Sequence, residues 1–305
     1  MNGGQTDNGD RTGAVAADDR RTAAAEFGHG IAVITGSGSG IGAGLARELA
    51  SHGMTVVVAD ICADRAAQTV TSIREAGGSA HSFNVDVSRA EGLERLAEAA
   101  HCLGTVRMLI NNAGIETVGY SWEIPVERWA QTLDINVLGV VNGCRAFLPR
   151  MIAQGEECWV ANVASIGGFG QLPLQAPYIM SKHAVQSFTE CLALEVELAR
   201  APIHVASIIP GMVRTAIFQA TDADQGEVAI AHRKVMRETM ASHGMDLEMA
   251  CARIVAQLAT GTFWVSTQPR MTRTFLERRA DFLRDQGAPQ IMDDLAPLYA
   301  NLQGR

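Results

Sequence analysis

No run of about 18 apolar residues occurs in this sequence, so no membrane-spanning helix is predicted. Positive charge is also in short supply. Lys and Arg number 25 against 33 Asp and Glu, and the net charge of −8 would repel the phosphates of a nucleic acid. The six cysteines, Cys62, Cys102, Cys144, Cys158, Cys191 and Cys251, stand singly. None forms a C-x-x-C pair or lies at zinc-ligand spacing to a histidine, so neither a disulfide framework nor a metal site is predicted. Idle thiols of this kind suit a reducing, cytoplasmic setting. Internal repeats are missing. Large apolar side chains are scarce in residues 1–27, which are rich in Gly, Asp, Asn, Ala and Arg. That stretch cannot bury enough surface to offset its ordering entropy, and a disordered tail is expected there. It lacks the apolar core of a secretory signal, and Asp7, Asp10, Asp18 and Asp19 argue against a transit peptide.

What remains is an ordinary globular mixture: 305 residues, 47% hydrophobic and 19% charged. A chain of this length can bury a large core without staples. From residue 28 onward, short β-rich runs alternate with helix-length segments. Strands are predicted at IAVIT (31–35) and TVVVAD (55–60), then near 79–84, 106–110, 157–163, 203–208 and 262–266. Helices are predicted over about 41–52, 63–76, 89–102, 125–153, 178–200, 246–259 and 269–285. Strands that are continuously apolar, each followed by a helix, imply a parallel sheet covered on both faces. The expected fold is therefore α/β, a Rossmann-type doubly wound parallel β-sheet of about seven strands flanked by helices. A single domain should span 28–305.

The first strand runs into Thr35-Gly36-Ser37-Gly38-Ser39-Gly40-Ile41-Gly42. Glycines between a strand and a helix let the backbone approach a pyrophosphate, whose charge favours the helix N-terminus. Asp60 closes the second strand 24 residues after Gly36, where a carboxylate can accept hydrogen bonds from ribose hydroxyls. A 2′-phosphate there would be repelled, and neither Ser37 nor Ile61 offers a compensating charge. NAD is the predicted cofactor. The candidate binding set begins with Gly36, Ser39, Gly40, Ile41, Gly42, Asp60 and Ile61.

Tyr178 and Lys182 lie four residues apart on one face of a predicted helix. Unit charges about 4 Å apart at an effective dielectric near 20 interact by about 4 kcal/mol, roughly three pKa units. An ammonium so placed is expected to draw a phenol from about 10 towards 7, where it can trade protons with an alcohol. Ser165 follows the apolar strand WVANVA, so its hydroxyl should emerge at the strand's carboxyl end, where α/β folds bind ligands.

In this combination the sequence resembles the short-chain dehydrogenase/reductase family, over about residues 29–216. The family's T-G-x-x-x-G-x-G loop matches Thr35 to Gly42, its acidic strand end Asp60, and its Asp-plus-apolar pair Asp86-Val87. Its N-N-A-G turn matches Asn111-Asn112-Ala113-Gly114, and its helix asparagine Asn136. The serine matches Ser165, Y-x-x-x-K matches Tyr178 and Lys182, and P-G-x-V-x-T matches Pro210-Gly211-Met212-Val213-Arg214-Thr215. The resemblance implies hydride transfer at nicotinamide. Tyr178 would be the acid/base, and Ser165 would hold the substrate oxygen. Lys182 would bind the nicotinamide ribose, and Asn136 would hold a relay water. Asp86, Val87, Asn112, Ala113, Gly114, Pro210, Gly211, Val213 and Thr215 would complete the cofactor bed.

The family's D-G-G strand ending is missing, and an extended C-terminal segment, about 246–305, stands in its place. Residues 212–240 are expected to form a substrate flap. Gly167, Phe169, Met212 and Phe218 are the candidate pocket residues, with Ile115, Thr117, Val118 and Ile217 beside them. No Arg or Lys besides Lys182 sits in the expected pocket-lining segments, so a hydrophobic, aromatic or bulky secondary alcohol or its ketone is the expected substrate. Arg214 should touch the cofactor or solvent. By resemblance the two long helices, near 125–153 and 178–200, pair between subunits in a homo-oligomer, tetramer or dimer. Competing readings are a catalytically idle NAD-binding sensor or scaffold and an NADP-dependent ketoreductase. An epimerase or dehydratase fits less well, because Ser39 occupies a place where those relatives usually carry glycine.

Overall fold

A computed structural model describes residues 22–23, 25–219, 226–291 and 299. Seven parallel strands form one sheet in the order β3-β2-β1-β4-β5-β6-β7. They are β1 (Ile31–Thr35), β2 (Thr55–Asp60), β3 (Ser79–Asn84), β4 (Val106–Asn111), β5 (Cys158–Val163), β6 (Ile203–Ile209) and β7 (Trp264–Ser266). The helices are α1 (Gly40–Ser51), α2 (Ala63–Glu75), α3 (Ala90–Leu103), α4 (Val126–Leu133), α5 (Gly139–Gln154), α6 (Ala176–Leu198), α7 (Glu227–His243), α8 (Leu247–Leu258) and α9 (Pro269–Asp285).

The pleat explains the covering layers. Along β1, Ala32 and Ile34 point to a layer built from Leu45 and Leu49 of α1, Val70 and Ile73 of α2, and Ile254, Val255 and Leu258 of α8. Their neighbours Ile31 and Val33 face Leu93, Leu96 and Ala100 of α3, Phe147 and Met151 of α5, and Leu192 and Val196 of α6. Because both faces are covered, β1, β4 and β5 are buried at every residue and read as predominantly apolar runs, with Arg107, Asn111 and Asn162 as buried polar exceptions. The outer strand β3, SAHSFN, is mostly exposed and correspondingly polar.

Two sequence expectations need correction. The expected tail lies outside the described residues as far as residue 21, but its last part is packed: Ala23 and Phe27 are 1% and 0% exposed. Phe27 sets its ring edge-on to Trp159 of β5 at 5.2 Å, and both rings belong to one apolar cluster. The expected helix over 125–153 is split, since a single π turn, Asp134–Leu138, separates α4 from α5. The expected flap contains a regular helix, α7; residues 220–225 lie outside the described part. The extended C-terminal segment forms α8, β7 and α9, and residues 292–298 and 300–305 lie outside the described part.

Candidate active site

The sheet order reverses between β1 and β4, and the loops leaving these two strands open a crevice at their carboxyl ends. The loops are tied together. Thr35 Oγ1 accepts the main-chain N–H groups of Asn112 (3.0 Å) and Ala113 (3.1 Å). The Asn112 amide donates back to the carbonyls of Thr35 (2.8 Å) and Gly36 (3.1 Å). Gly36 needs to be glycine twice over: its φ is +64°, and a Cβ there would come within 2.7 Å of Ala113 Cα. At Gly42 a Cβ would run into the Asn112 amide and the Gly36 carbonyl, so this glycine serves packing and lies off the cleft wall.

Gly36, Ser39, Gly40, Ile41, Asp60, Ile61, Asp86, Val87, Asn112, Ala113, Gly114, Pro210, Gly211, Val213 and Thr215 all line one cleft of about 660 Å3. A dinucleotide fits what is there. Ser39 precedes α1 without any side-chain cap, so the helix's leading N–H groups face the cleft and can receive a pyrophosphate. Asp60, 5% exposed, accepts main-chain N–H groups from Gly38 (2.9 Å) and Cys62 (2.8 Å), which holds its carboxylate at the ribose end. Arg65, half exposed on α2, also reaches Asp60 Oδ1 at 3.3 Å and lines the same cleft. It supplies the positive charge that Ser37 and Ile61 do not. Asp86 already accepts both Ser88 donors through Oδ1 (3.0 and 2.7 Å).

The catalytic candidates meet at the cleft's other end. Ser165 leaves β5 and caps a short 3-10 turn, Ile166–Gly168, its Oγ accepting the Gly167 N–H at 3.0 Å. The same hydroxyl is near enough to the Tyr178 phenol to favour its charged form. Lys182 is 5% exposed, and its Nζ donates to the Val163 carbonyl at 2.8 Å while lying 5.6 Å from the Tyr178 ring centre. The expected acidification of the phenol is not found. Burial raises the Tyr178 pKa, and a nearby carboxylate, Glu116, raises it further, while Ser165 pulls the other way. Burial likewise lowers Lys182 to about 8, against an opposing pull from Glu116. Desolvation is the largest influence on both groups.

Asn136 sits in the π turn, behind the cleft wall. Its Oδ1 accepts the Ile115 N–H (2.8 Å), and its Nδ2 donates to the Ile115 carbonyl (2.9 Å) and Ser181 Oγ (3.0 Å). With every amide group engaged, the side chain pins the loop after β4 to α6. A π turn supplies the extra residue that aims it there.

Of the pocket candidates, Gly167, Met212 and Phe218 line the cleft, joined by Leu172, Ile179, Met236 and Met240. Phe169 does not, because the 3-10 turn swings it away from the cleft, towards Trp264 at 5.9 Å. Ile115 lines the cleft, whereas Thr117 and Val118 border a separate small cavity beside α7. Arg214 pairs with Asp246 at 3.3 Å on the surface. Sequence reading named Thr35 only as the start of the glycine loop, and passed over Arg65, Glu116, Gln175 and Arg233. Thr35 alone had a local signal, since it opens the glycine loop. Among the described residues no cluster of three or more His, Cys, Asp or Glu could hold a metal ion, and no helix is long and apolar enough to cross a membrane.

The family model for short chain dehydrogenase matches residues 30–226. SadH of Mycobacterium tuberculosis is 35% identical over 233 residues, 76% of this chain and 83% of that one. The 3beta-hydroxysteroid dehydrogenase 1 of Eggerthella lenta is 36% identical over 206 residues, 67% of this chain and 78% of that one. Among solved structures, a short chain dehydrogenase/reductase from Burkholderia phymatum in complex with NAD superposes with a TM-score of 0.82 at 31% identity. The match covers 88% of this chain and 99% of that one.

Proposed function

Since the chain belongs to the short-chain dehydrogenase family of oxidoreductases, we propose that it interconverts a hydrophobic secondary alcohol and its ketone with NAD(H), using Tyr178 as acid/base. One observation carries this reading: Ser165, Tyr178 and Lys182 converge at the inner end of the cleft whose outer end is the glycine loop and Asp60. When bound, the nicotinamide would accept or deliver the hydride. The chain's own residues handle the oxygen. Ser165 and Tyr178 present two hydroxyls to it, and burial keeps the phenol protonated at neutral pH, the state that donates to a carbonyl during reduction. Lys182, held on Val163, borders the same space, and its place beside Gly114 suits a ribose contact. Asn136 fixes the wall through its side-chain amide.

Leu172, Ile179, Ile217, Phe218, Met236 and Met240 support an apolar substrate, with Gln175 as a polar exception. Arg65 favours a second reading of the cofactor, in which NADP is accepted as well. Exposed Leu138, Ile152, Met180, Leu194 and Leu198 on the π turn, α5 and α6 support a homo-oligomer formed through these helices. The test is an absorbance screen with NADH and NADPH against secondary aryl and alicyclic alcohols and their ketones. Turnover that disappears in Tyr178→Phe supports the proposal. Tight cofactor binding without turnover of any of them would favour the sensor or scaffold reading.

A further inference from the structure

The apolar wall of the cleft near Tyr178 is interrupted at Gln175. This residue is the N-cap of α6, and its main-chain carbonyl accepts the Ile179 N–H at 2.9 Å. Tyr178 is the third residue of the helix, and N-cap and third-residue side chains share one side of the first turn. The residue before Gln175 fixes its direction. Leu174 is held at a φ of +67°, in the left-handed region, and is buried in one apolar cluster with Val118, Ala229 and Tyr299. A leucine stays in that region only where its surroundings impose it. The Gln175 side chain is 2% exposed, and its Nε2 lies 2.8 Å from Nε2 of His232, a ring stacked in turn on Tyr299. An amide nitrogen donates, so that end of the amide is spent. The other end, Oε1, accepts from no described residue, and it is not among the sealed, unpartnered polar atoms of the interior. The Gln175 carbonyl is therefore an open acceptor at the edge of an apolar space, and a bound apolar body that dried it without donating to it would be penalised.

We propose that Gln175 determines specificity: its amide carbonyl accepts a hydrogen bond from a second donor, a hydroxyl or an N–H, carried by an otherwise hydrophobic alcohol or ketone. The inference rests on the reading of Tyr178 as acid/base given above, and it narrows the substrate class of that same site. The hydroxyls of Ser165 and Tyr178 serve the reacting oxygen, so the second donor is a different group of the substrate. Leu172, Ile217, Phe218, Met236 and Met240 surround the rest of the molecule. Because His232 takes the amide nitrogen, the site distinguishes donors from acceptors. An ether oxygen in the same place would meet the carbonyl oxygen and be repelled, although it matches a hydroxyl in polarity.

The test uses trios of cyclohexanones and decalones that carry hydrogen, hydroxyl or methoxyl at each ring position in turn. Reduction is followed with saturating reduced cofactor, and binding is measured by calorimetry with the same cofactor present. In the wild type one hydroxyl isomer should exceed both its parent and its methoxyl counterpart by about tenfold in kcat/KM, the worth of one hydrogen bond. Gln175→Met, which keeps the length and removes the acceptor, should bring that ratio to about one. A ratio between substrates is independent of how much of the variant is folded. Should the variant not fold at all, the wild-type comparison of hydroxyl with methoxyl decides alone. Methoxyl favoured as much as hydroxyl, or a hydroxyl preference that survives Gln175→Met, would overturn the proposal. Tyr178-dependent reduction with no hydroxyl preference at any position sinks this inference alone. Hydroxyl-selective binding that Gln175→Met abolishes, in a protein that reduces none of the ketones, sinks the catalytic reading alone. With no ketone bound or reduced, both fall.

Discussion

His232 should make this fold sensitive to mild acid. The ring is 1% exposed on α7, stacked on Tyr299 with centroids 5.7 Å apart, and its Nε2 lies 2.8 Å from the Gln175 amide nitrogen. An amide nitrogen donates, so Nε2 must accept, and the ring is neutral. Burial, and then the adjoining Arg233, lower its pKa from 6.5 to about 4. The unfolded chain therefore takes up a proton from pH 6.5 downward, while the folded chain declines it until about pH 4. Stability rises with pH across that window and is lost on descending through it. Between pH 7.5 and 5 this one group costs about 2 kcal/mol, from 1.36 kcal/mol per pKa unit. The perturbation is His232→Phe, which keeps an aromatic ring against Tyr299 but cannot titrate. The variant should be weaker than wild type at pH 7.5, because the Gln175 donor is orphaned at a cost of about 1–3 kcal/mol. Its deficit should shrink by about 2 kcal/mol at pH 5. Urea denaturation followed by circular dichroism at both pH values measures each difference. Equal losses of stability in the two proteins between those pH values would refute the reasoning.

Other outcomes follow from the site and its supports. Tyr178→Phe should lower turnover at least about a hundredfold while cofactor still binds, read by steady-state rates and by calorimetry. Asp60→Ala should weaken NAD binding by about ten- to a hundredfold, the worth of charged hydrogen bonds. Arg65→Ala should weaken NADPH binding and spare NADH, and an unchanged NADPH affinity would remove Arg65 from cofactor choice. Gly42→Ala should cost about 1–3 kcal/mol in denaturant melts by forcing the glycine loop off Asn112. Phe27→Ala should cost about 3–5 kcal/mol, whereas a residue in a loose tail would cost nothing measurable.

The sheet was legible because a strand covered on both faces is predominantly apolar, as β1, β2, β4 and β5 are. The glycine loop, Asp60, Ser165, Tyr178 and Lys182 were legible because each belongs to a short local pattern whose spacing has a mechanical reason. Phe27 was hidden, since a single aromatic in a polar stretch does not show what it will pack against. Glu116 and Arg233 were hidden for the opposite reason. They lie 117 positions apart, and neither spacing nor composition says that a glutamate in a loop and an arginine in a polar helix will share one buried space. The direction of the Tyr178 shift was misjudged because helical spacing reports proximity and is silent about the water both groups lose.

The π turn at Asp134–Leu138 has a consequence for how this helix can drift. Each residue added to or taken from an α-helix swings everything downstream by about 100°. Removing one residue here would restore a regular spiral and rotate Phe147 and Met151 off the underside of the sheet, while Asn136 would lose its aim at Ile115. The surplus residue thus sets the phase between two halves of one rod, and substitutions can accumulate along it far more freely than insertions or losses.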